Sequence, residues 1–231
     1  MADFLNTLLF GIYPYIALAV LAVGSVIRYD REPYSWRAGS SQLLRRKQLI
    51  VGSVLFHAGV LLIFAGHVVG LLTPIVVFDT LGISHGAKQL LAIVAGGFAG
   101  VLGIVGATLL IHRRFFDPRI RAASSFSDNM VILLLWAQLA LGLATIPLSL
   151  QHLDGHEMVK FMNWAQGIFT FRSGAAGQIA DVALVFKVHL FMGLTILLLF
   201  PFTRLVHMLS APVRYVWRPG YQVVRSRKLA R

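Results

Sequence analysis

The sequence predicts an all-α membrane protein with five transmembrane helices, its N-terminus outside (periplasmic) and its C-terminus inside (cytoplasmic). Of the 231 residues, 57% are hydrophobic and only 13% are charged, whereas soluble domains have about 25% charged residues. Five apolar stretches are each long enough to cross about 30 Å of hydrocarbon, which takes roughly 20 helical residues. The basic residues fall between alternate stretches, as orientation signals do.

The five spans are expected to be helices, because a backbone in lipid must satisfy its own polar groups. In chain order the predicted spans are residues 5–27, 49–72, 89–111, 130–150 and 182–202. The second and fifth contain histidines, and the third contains pairs of closely spaced glycines. Within the longest connection, residues 156–171 have apolar side chains at helical spacing. This stretch is expected either to lie flat at the membrane interface or to form a structured loop.

Seventeen of the 21 basic residues lie on one predicted side of the membrane. Six fall between spans one and two, four between spans three and four, and seven after span five. The positive-inside rule therefore gives the orientation stated above. A chain inserted in a lipid bilayer accounts for the net charge of +12, and no nucleic acid is needed to explain it.

Cysteine is absent from the chain, which excludes disulfides, iron–sulfur clusters, thiolate zinc sites and CxxCH-attached haem. A redox centre held by this chain alone must therefore be organic or ligated by imidazole. Four histidines fit that need: His57 and His67 in span two, His189 in span five and His207 just beyond its inner end. An ionisable residue inside a span is a functional hypothesis by default. The alternative is a buried histidine hydrogen-bonded to a neighbouring helix.

Spans two and five run in opposite directions, so His67 is expected opposite His189 and His57 opposite His207. Each pair of imidazoles can hold an iron porphyrin between them, which predicts two haem b groups stacked across the bilayer. The levels of the paired histidines match imperfectly. About 15 Å of helix rise separates His57 from His67, whereas about 27 Å separates His189 from His207. Pro201 can end or kink the helix and bring His207 inward.

Glycine and arginine positions add to this hypothesis. Gly52, Gly59 and Gly66 recur every seven residues and Gly193 follows His189 by one turn, which would leave a face free for porphyrin. Close helix packing is the alternative. Two arginines at the inner boundary, Arg113 and Arg114, could pair with haem propionates or serve only as orientation signals. The other histidines, at positions 85, 112, 152 and 156, are expected to be solvated.

Several sequence motifs resemble those of the gamma subunit of the membrane-bound respiratory nitrate reductase. They are FGIYPYIALAV, IRYDREPYSWRAGSSQLLRRK, FHAGVLLIFAGHVVGLLTP, RRFFDPRIRA, QHLDGHEMVKFMNWAQ and VHLFMGLTILLLFPFTRLVH. The resemblance covers nearly the whole chain. It implies a five-span, di-haem cytochrome b that oxidises quinol (menaquinol or ubiquinol) near the outer face and releases protons outside. Electrons would then pass to a cytoplasmic iron–sulfur subunit and a molybdenum subunit that reduces nitrate, contributing to the proton-motive force.

The resemblance also implies roles for individual residues. His67 and His189 match the ligands of the outer haem iron, and His57 and His207 match those of the inner one. Lys88 and Gly66 match quinol-site positions, and Arg114 matches an arginine beside the inner haem. A lysine at the outer start of span three can hydrogen-bond a quinol oxygen and favour its deprotonation, or it can simply extend to the interface. The loop of residues 75–86 departs from the family pattern.

These observations lead us to expect a multi-pass protein of the cell inner membrane. Residues 1–203 would form the haem-binding membrane domain, and the basic tail 204–231 would dock the iron–sulfur partner. One alternative is the anchor cytochrome b of a related complex, such as a nitrite oxidoreductase, hydrogenase or formate dehydrogenase. Another is a transporter that uses the histidines as a proton relay, although spans two and five offer few other polar residues.

Overall fold

The structure is a computed structural model that describes residues 2–36 and 44–210. In chain order its helices are α1 (Asp3–Arg31), α2 (Arg46–Leu72), α3 (Ile75–Thr80), α4 (His85–Phe116), α5 (Pro118–Ala122), α6 (Phe126–Ser149), α7 (His156–Phe169) and α8 (Leu184–Leu199). Short 3-10 turns occupy Pro33–Ser35, Ala175–Ile179, Phe200–Phe202 and Arg204–Ser210. The described ranges contain no β-strand.

Among the described residues, five helices are long and apolar enough to span a membrane, which confirms the predicted span count: α1, α2, α4, α6, and α8 with the turn that follows it. The helices at the third and fourth spans begin about one turn before the apolar stretches. Their starts are set by caps, because Ser84 Oγ accepts from Ala87 N at 3.2 Å and Ser125 Oγ accepts from Asp128 N at 3.1 Å. The orientation stays a prediction, and "inner" and "outer" are used below in its sense.

Glycines let α2 and α4 approach each other closely. A Cβ added at Gly59 would collide with the backbone of Ala99 and Gly103, and one at Gly52 would lie 3.2 Å from Leu109 Cβ. The expectation that these two glycines leave a face free for porphyrin is therefore wrong, and helix packing is their role. Gly193 likewise faces Gln138 of α6, at 3.2 Å. Only Gly66 of the four faces open space.

Residues 156–171 contain α7, as their helical spacing predicts. The buried face of α7 packs with α1 and with the 175–179 turn in one apolar cluster, which includes Phe10, Trp164 and Ile179. Trp164 Nε1 also donates to the carbonyl of Phe10 at 2.8 Å. This helix therefore covers the outer end of the bundle through protein contacts, and it is not a loop.

Helix α2, which contains His57 and His67, and helix α8, which contains His189, are not packed against one another. Within the described residues, α2 packs on α4 and α7, whereas α8 packs on α1 and α6. The facing sides of α2 and α8 therefore border a gap in the bundle.

The fifth span ends as the position of Pro201 predicts. Helix α8 stops at Leu199, Pro201 lies in the following 3-10 turn, and a second 3-10 segment contains His207. Leu205 and Val206 of that segment are buried with Val131 and Phe200. The chain thus leaves the helical path and folds back against the inner end of the bundle.

Candidate functional site

Two pairs of histidines face each other across the gap between α2 and α8. The ring centroids of His67 and His189 are 6.3 Å apart. The centroids of His57 and His207 are also 6.3 Å apart. The structure thus brings together the histidines that the antiparallel topology pairs, at the outer and inner levels respectively.

The separation within each pair suits a metal ion held between two imidazoles. A metal–imidazole bond is about 2 Å long, as in zinc sites, and the ring centre lies about 1 Å beyond the bonded nitrogen, so two centroids across one metal are about 6 Å apart. Both observed separations agree with this value. Helices α2 and α8 are not closely packed against each other, as a planar group held between the two histidines of a pair would require.

Backbone carbonyls fix the orientation of three of the four rings. Nδ1 of His57 lies 2.7 Å from the carbonyl of Ser53, and Nδ1 of His67 lies 2.8 Å from that of Ile63. Nδ1 of His207 lies 2.5 Å from the carbonyl of Arg204. A carbonyl only accepts, so each Nδ1 carries the proton and each Nε2 keeps its lone pair for a metal. Ligating histidines commonly have such a second hydrogen bond.

His189 is held differently. Its Nδ1 is buried and has no hydrogen-bond partner within the described part of the chain. Instead its ring packs on Gly142 of α6, where an added Cβ would lie 3.1 Å from Cε1, and Gln138 Nε2 donates to its backbone carbonyl at 3.1 Å. Sequence reasoning missed both of these α6 residues, because nothing in an apolar span marks which side chains face a ligand.

The remaining histidines lie apart from the gap. His85 contacts Asp79 at 3.2 Å and His112 contacts Gln48 at 3.2 Å, while His152 and His156 are exposed. Among the described residues no group of three or more His, Cys, Asp or Glu could hold a metal ion.

Lys88 lies in the protein rather than at the interface. The residue is only 7% exposed, its Nζ donates to the carbonyl of Gly70 at 2.9 Å, and it lies 3.9 Å from the centroid of the Phe78 ring. Nζ is also 2.7 Å from Met162 Sδ. The alternative of a lysine extending to the membrane interface is therefore wrong. Gly66 lies one turn before Gly70 on α2, beside open space.

A small cavity adjoins Lys88 between α3, α4 and α7. It is lined by Ile75, Phe78, His85, Lys88, Gly155, Met158, Val159 and Met162. The lining is mostly apolar, with an ammonium and an imidazole at one wall. Ile75, Phe78 and His85 of the segment 75–86 thus form part of this wall.

Arginines surround one carboxylate at the inner end. Asp128 Oδ2 lies 3.6 Å from Arg114 Nη1, and its Oδ1 lies 3.3 Å from Arg204 Nη1. Arg114 Nη1 is buried, and the distance to Asp128 is too long for a hydrogen bond. Arg113 is engaged elsewhere, since its Nη2 donates to the carbonyl of Leu44 at 2.6 Å. Arg114 thus has a buried N–H group, at Nη1, that makes no hydrogen bond among the described residues.

Comparison with known proteins gives a consistent result. Residues 6–227 match the family described as Nitrate reductase gamma subunit. The chain is 50% identical to the respiratory nitrate reductase 1 gamma chain of Escherichia coli (strain K12), over 97% of this chain and 99% of the relative. It is 48% identical to the respiratory nitrate reductase 2 gamma chain of the same organism, over 99% and 100%. It is 40% identical to the nitrate reductase gamma chain of Bacillus subtilis (strain 168), over 95% and 98%.

Proposed function

The chain belongs to the nitrate reductase gamma-subunit family, and from this premise we propose that it oxidises quinol near the outer membrane face and conducts the electrons inward. Membership makes it a membrane-anchor subunit of a respiratory nitrate reductase, which is an oxidoreductase complex, and a multi-pass inner membrane protein. Nitrate reduction itself would take place on a partner subunit.

The observation that supports this proposal most strongly is the pair of histidine sites at equal separation. His67 with His189 would hold an outer haem b, and His57 with His207 an inner one. Held by two imidazoles, each haem would supply single-electron transfer, and the histidines would leave no site for oxygen or substrate. The residues fit the group because each pair faces a gap between helices that are not packed together.

The chain's own hydrogen bonds prepare three of these ligands. Each Nδ1–H donates to a carbonyl of the same chain segment, so that in the neutral ring the Nε2 lone pair is turned away from that carbonyl and available to a ligand. Little rotation would then be needed on haem binding. In the outer pair, Gly142 supports the His189 ring by contact instead.

Arg114 is the proposed partner of an inner haem propionate. Its buried Nη1 has no hydrogen bond, and a planar guanidinium suits a carboxylate. Asp128, 3.6 Å away, would hold the Arg114 side chain in place, and Arg204 binds the other oxygen of the same carboxylate at 3.3 Å. The buried N–H group of Arg114 supports a contact with a propionate more directly than the positive charge of the inner loops does.

Lys88 is the proposed contact for quinol. An ammonium has three N–H donors; Gly70 and Met162 accept two, which leaves one for a quinol oxygen. The positive charge would stabilise the oxygen as its proton leaves. The side chains that line the small cavity are mostly apolar and would contact a quinone ring bound beside Lys88, and Gly66 would leave room on α2 for the same ligand. Protons released here would leave on the outer side.

The proposed partner subunits are inferred from the family and from the basic residues of the predicted inner face. A gamma chain functions with other nitrate reductase subunits; we propose that these are an iron–sulfur subunit and, through it, a molybdenum subunit. The proposed division is a membrane domain of residues 1–203 and a docking tail of residues 204–231. Residues 211–231 of this tail lie outside the described residues, as does Arg37 of the first inner loop.

A haem count tests this proposal. We expect the purified chain in detergent to show two b-type haems per polypeptide, from its pyridine haemochrome and its dithionite-reduced minus oxidised spectrum. Quinol should reduce them, and a His67→Ala variant should lose one. A folded chain without haem, expressed with haem available, would overturn the proposal and favour a histidine proton relay.

A further inference from the structure

Arg28, at the inner end of α1, joins three separate parts of the chain. Its Nη1 donates to the carbonyls of Pro201 and Thr203, both at 2.7 Å. On the other side of the guanidinium, Nη2 donates to the Ser35 carbonyl at 2.8 Å and Nε to Ser35 Oγ at 3.2 Å. The sequence suggests only an orientation charge at this position.

The carbonyls that Arg28 binds belong to the break after α8. A helix end leaves carbonyl groups without intrahelical partners, and such groups are costly to leave unpaired away from water. Thr203 is buried, and its Oγ1 donates to the Phe200 carbonyl at 3.0 Å and accepts from Leu205 N at 3.3 Å. Arg28 and Thr203 therefore stabilise the change of direction that precedes His207.

The segment that contains His207 is also held at its far end. Trp36, which directly follows Ser35, donates from its Nε1 to Ser210 Oγ. Arg28 thus fixes the start of the 201–210 segment directly and its end through Ser35 and Trp36. Gly24, one turn before Arg28, allows α1 to approach, since a Cβ there would lie 2.9 Å from Pro201 Cγ.

We propose that Arg28 is a positioning residue for the inner haem, acting through the backbone that presents His207. This inference rests on the proposed haem function. Without the break, helical geometry would carry His207 about 27 Å from His189 along the axis, beyond the level of His57. The planar guanidinium of Arg28 hydrogen-bonds the carbonyls of Pro201 and Thr203 and also Ser35 at the same time. A lysine ammonium at this position reproduces these bonds only in part.

The variant Arg28→Gln tests this inference in the full chain, purified from its membrane with both haems. The two low-spin ferric haem signals in electron paramagnetic resonance are first assigned with His57→Ala (inner) and His67→Ala (outer). Arg28→Gln should shift or remove the inner signal, and the inner haem should transfer to apomyoglobin roughly tenfold faster. The outer signal should not change. Arg28→Lys should give an intermediate shift and keeps the inference testable if Arg28→Gln does not accumulate.

Arg31→Gln is the matched control, because Arg31 is an exposed residue of the same helix end whose side chain bonds nothing within the described residues. It should match the wild type. An unchanged inner signal in both Arg28 variants, equal loss of both signals, or an Arg31→Gln effect as large as that of Arg28→Gln would each overturn the inference. A wild-type chain without two haems would instead overturn the proposed function.

Discussion

The outer and inner histidine pairs have the same 6.3 Å separation but are built in different ways. In the outer pair, both histidines lie within regular helices, α2 and α8. In the inner pair, His57 lies in α2 while His207 lies in a 3-10 segment beyond Pro201. The spacing of the two histidines along α2 is shorter than the spacing from His189 to His207 along a continuous helix. Regular helices therefore supply the outer pair, whereas the inner pair requires the break after α8.

The surroundings of the two pairs differ as well. Near the outer end are a buried lysine and a mostly apolar cavity. At the inner end, Arg114 and Arg204 share Asp128, next to the loops with most of the basic residues. This difference favours quinol and proton chemistry at the outer pair and electron delivery to a partner at the inner pair. Each prediction below changes one end and asks whether the other responds.

Removal of one ligand should have the largest effect. His57→Ala removes a proposed haem ligand and should lower quinol-dependent nitrate reduction strongly. The loss should exceed the roughly 10–100-fold effect of removing a residue that only hydrogen-bonds a metal ligand. Quinol should still reduce the outer haem, since His67 and His189 are intact. Stopped-flow spectra and steady-state rates measure both. The exposed His152→Ala variant is the control, and loss of the outer haem in His57→Ala would refute the pairing.

Lys88→Met should affect only the outer end. The change keeps an unbranched side chain that is one atom shorter and removes the ammonium, so quinol oxidation should slow by roughly a hundredfold. The inner haem signal and the haem count should stay as in the wild type. Lys187→Met provides a control, because Lys187 is another outer cation that donates only to the Ala180 carbonyl among described groups. Equal kinetic defects in the two variants would remove the special role of Lys88.

Arg114→Gln should affect only the inner end, and more mildly. Loss of a positive charge favours the oxidised haem, so the inner midpoint potential should fall by a few tens of millivolts, as expected for one partly screened charge. Potentiometric titration measures both haems in one sample. The exposed Arg121→Gln variant controls for net charge. A shift of the midpoint potential of the outer haem instead would contradict the assignment of Arg114 to the inner pair.

The smallest effect is expected at an ion pair on the outer surface. Lys160 donates to Asp181 at 2.7 Å and to Glu157 at 2.8 Å. These hydrogen bonds, with that to Asp181 the larger cause, raise the pKa of Lys160, and the bond from Lys160 lowers the pKa of Asp181. The pair should therefore stabilise the fold between roughly pH 4 and pH 10, and this stabilisation should fade as the pH falls through the Asp181 pKa or rises through the Lys160 pKa.

Asp181→Asn tests that pair. It should lower the thermal midpoint slightly at pH 7, and the difference from the wild type should shrink as the pH approaches 3. Neither haem signal should change, because the Asp181 carboxylate is exposed and binds Lys160 rather than a histidine of the two pairs. A difference that is independent of pH would mean that the carboxylate charge is not its source.

The sequence was sufficient to predict the features that depend on composition and topology. Apolar length predicts the five helices, and antiparallel spans pair His67 with His189 and His57 with His207. It could not predict which neighbour a glycine faces: the seven-residue period of Gly52 and Gly59 fits a porphyrin face and an α4 interface equally well. Nor does it distinguish Arg28, which bonds the α8 break, from Arg31, since both are basic residues at one helix end.

The central claim is that four histidines form two independent haem sites, and the four single alanine variants test it most directly. Electron paramagnetic resonance of each purified variant should divide them into two groups. His57→Ala and His207→Ala should lose one and the same low-spin haem signal, while His67→Ala and His189→Ala should lose the other. Loss of the same signal in His57→Ala and His67→Ala, or of neither signal in any variant, would contradict the account.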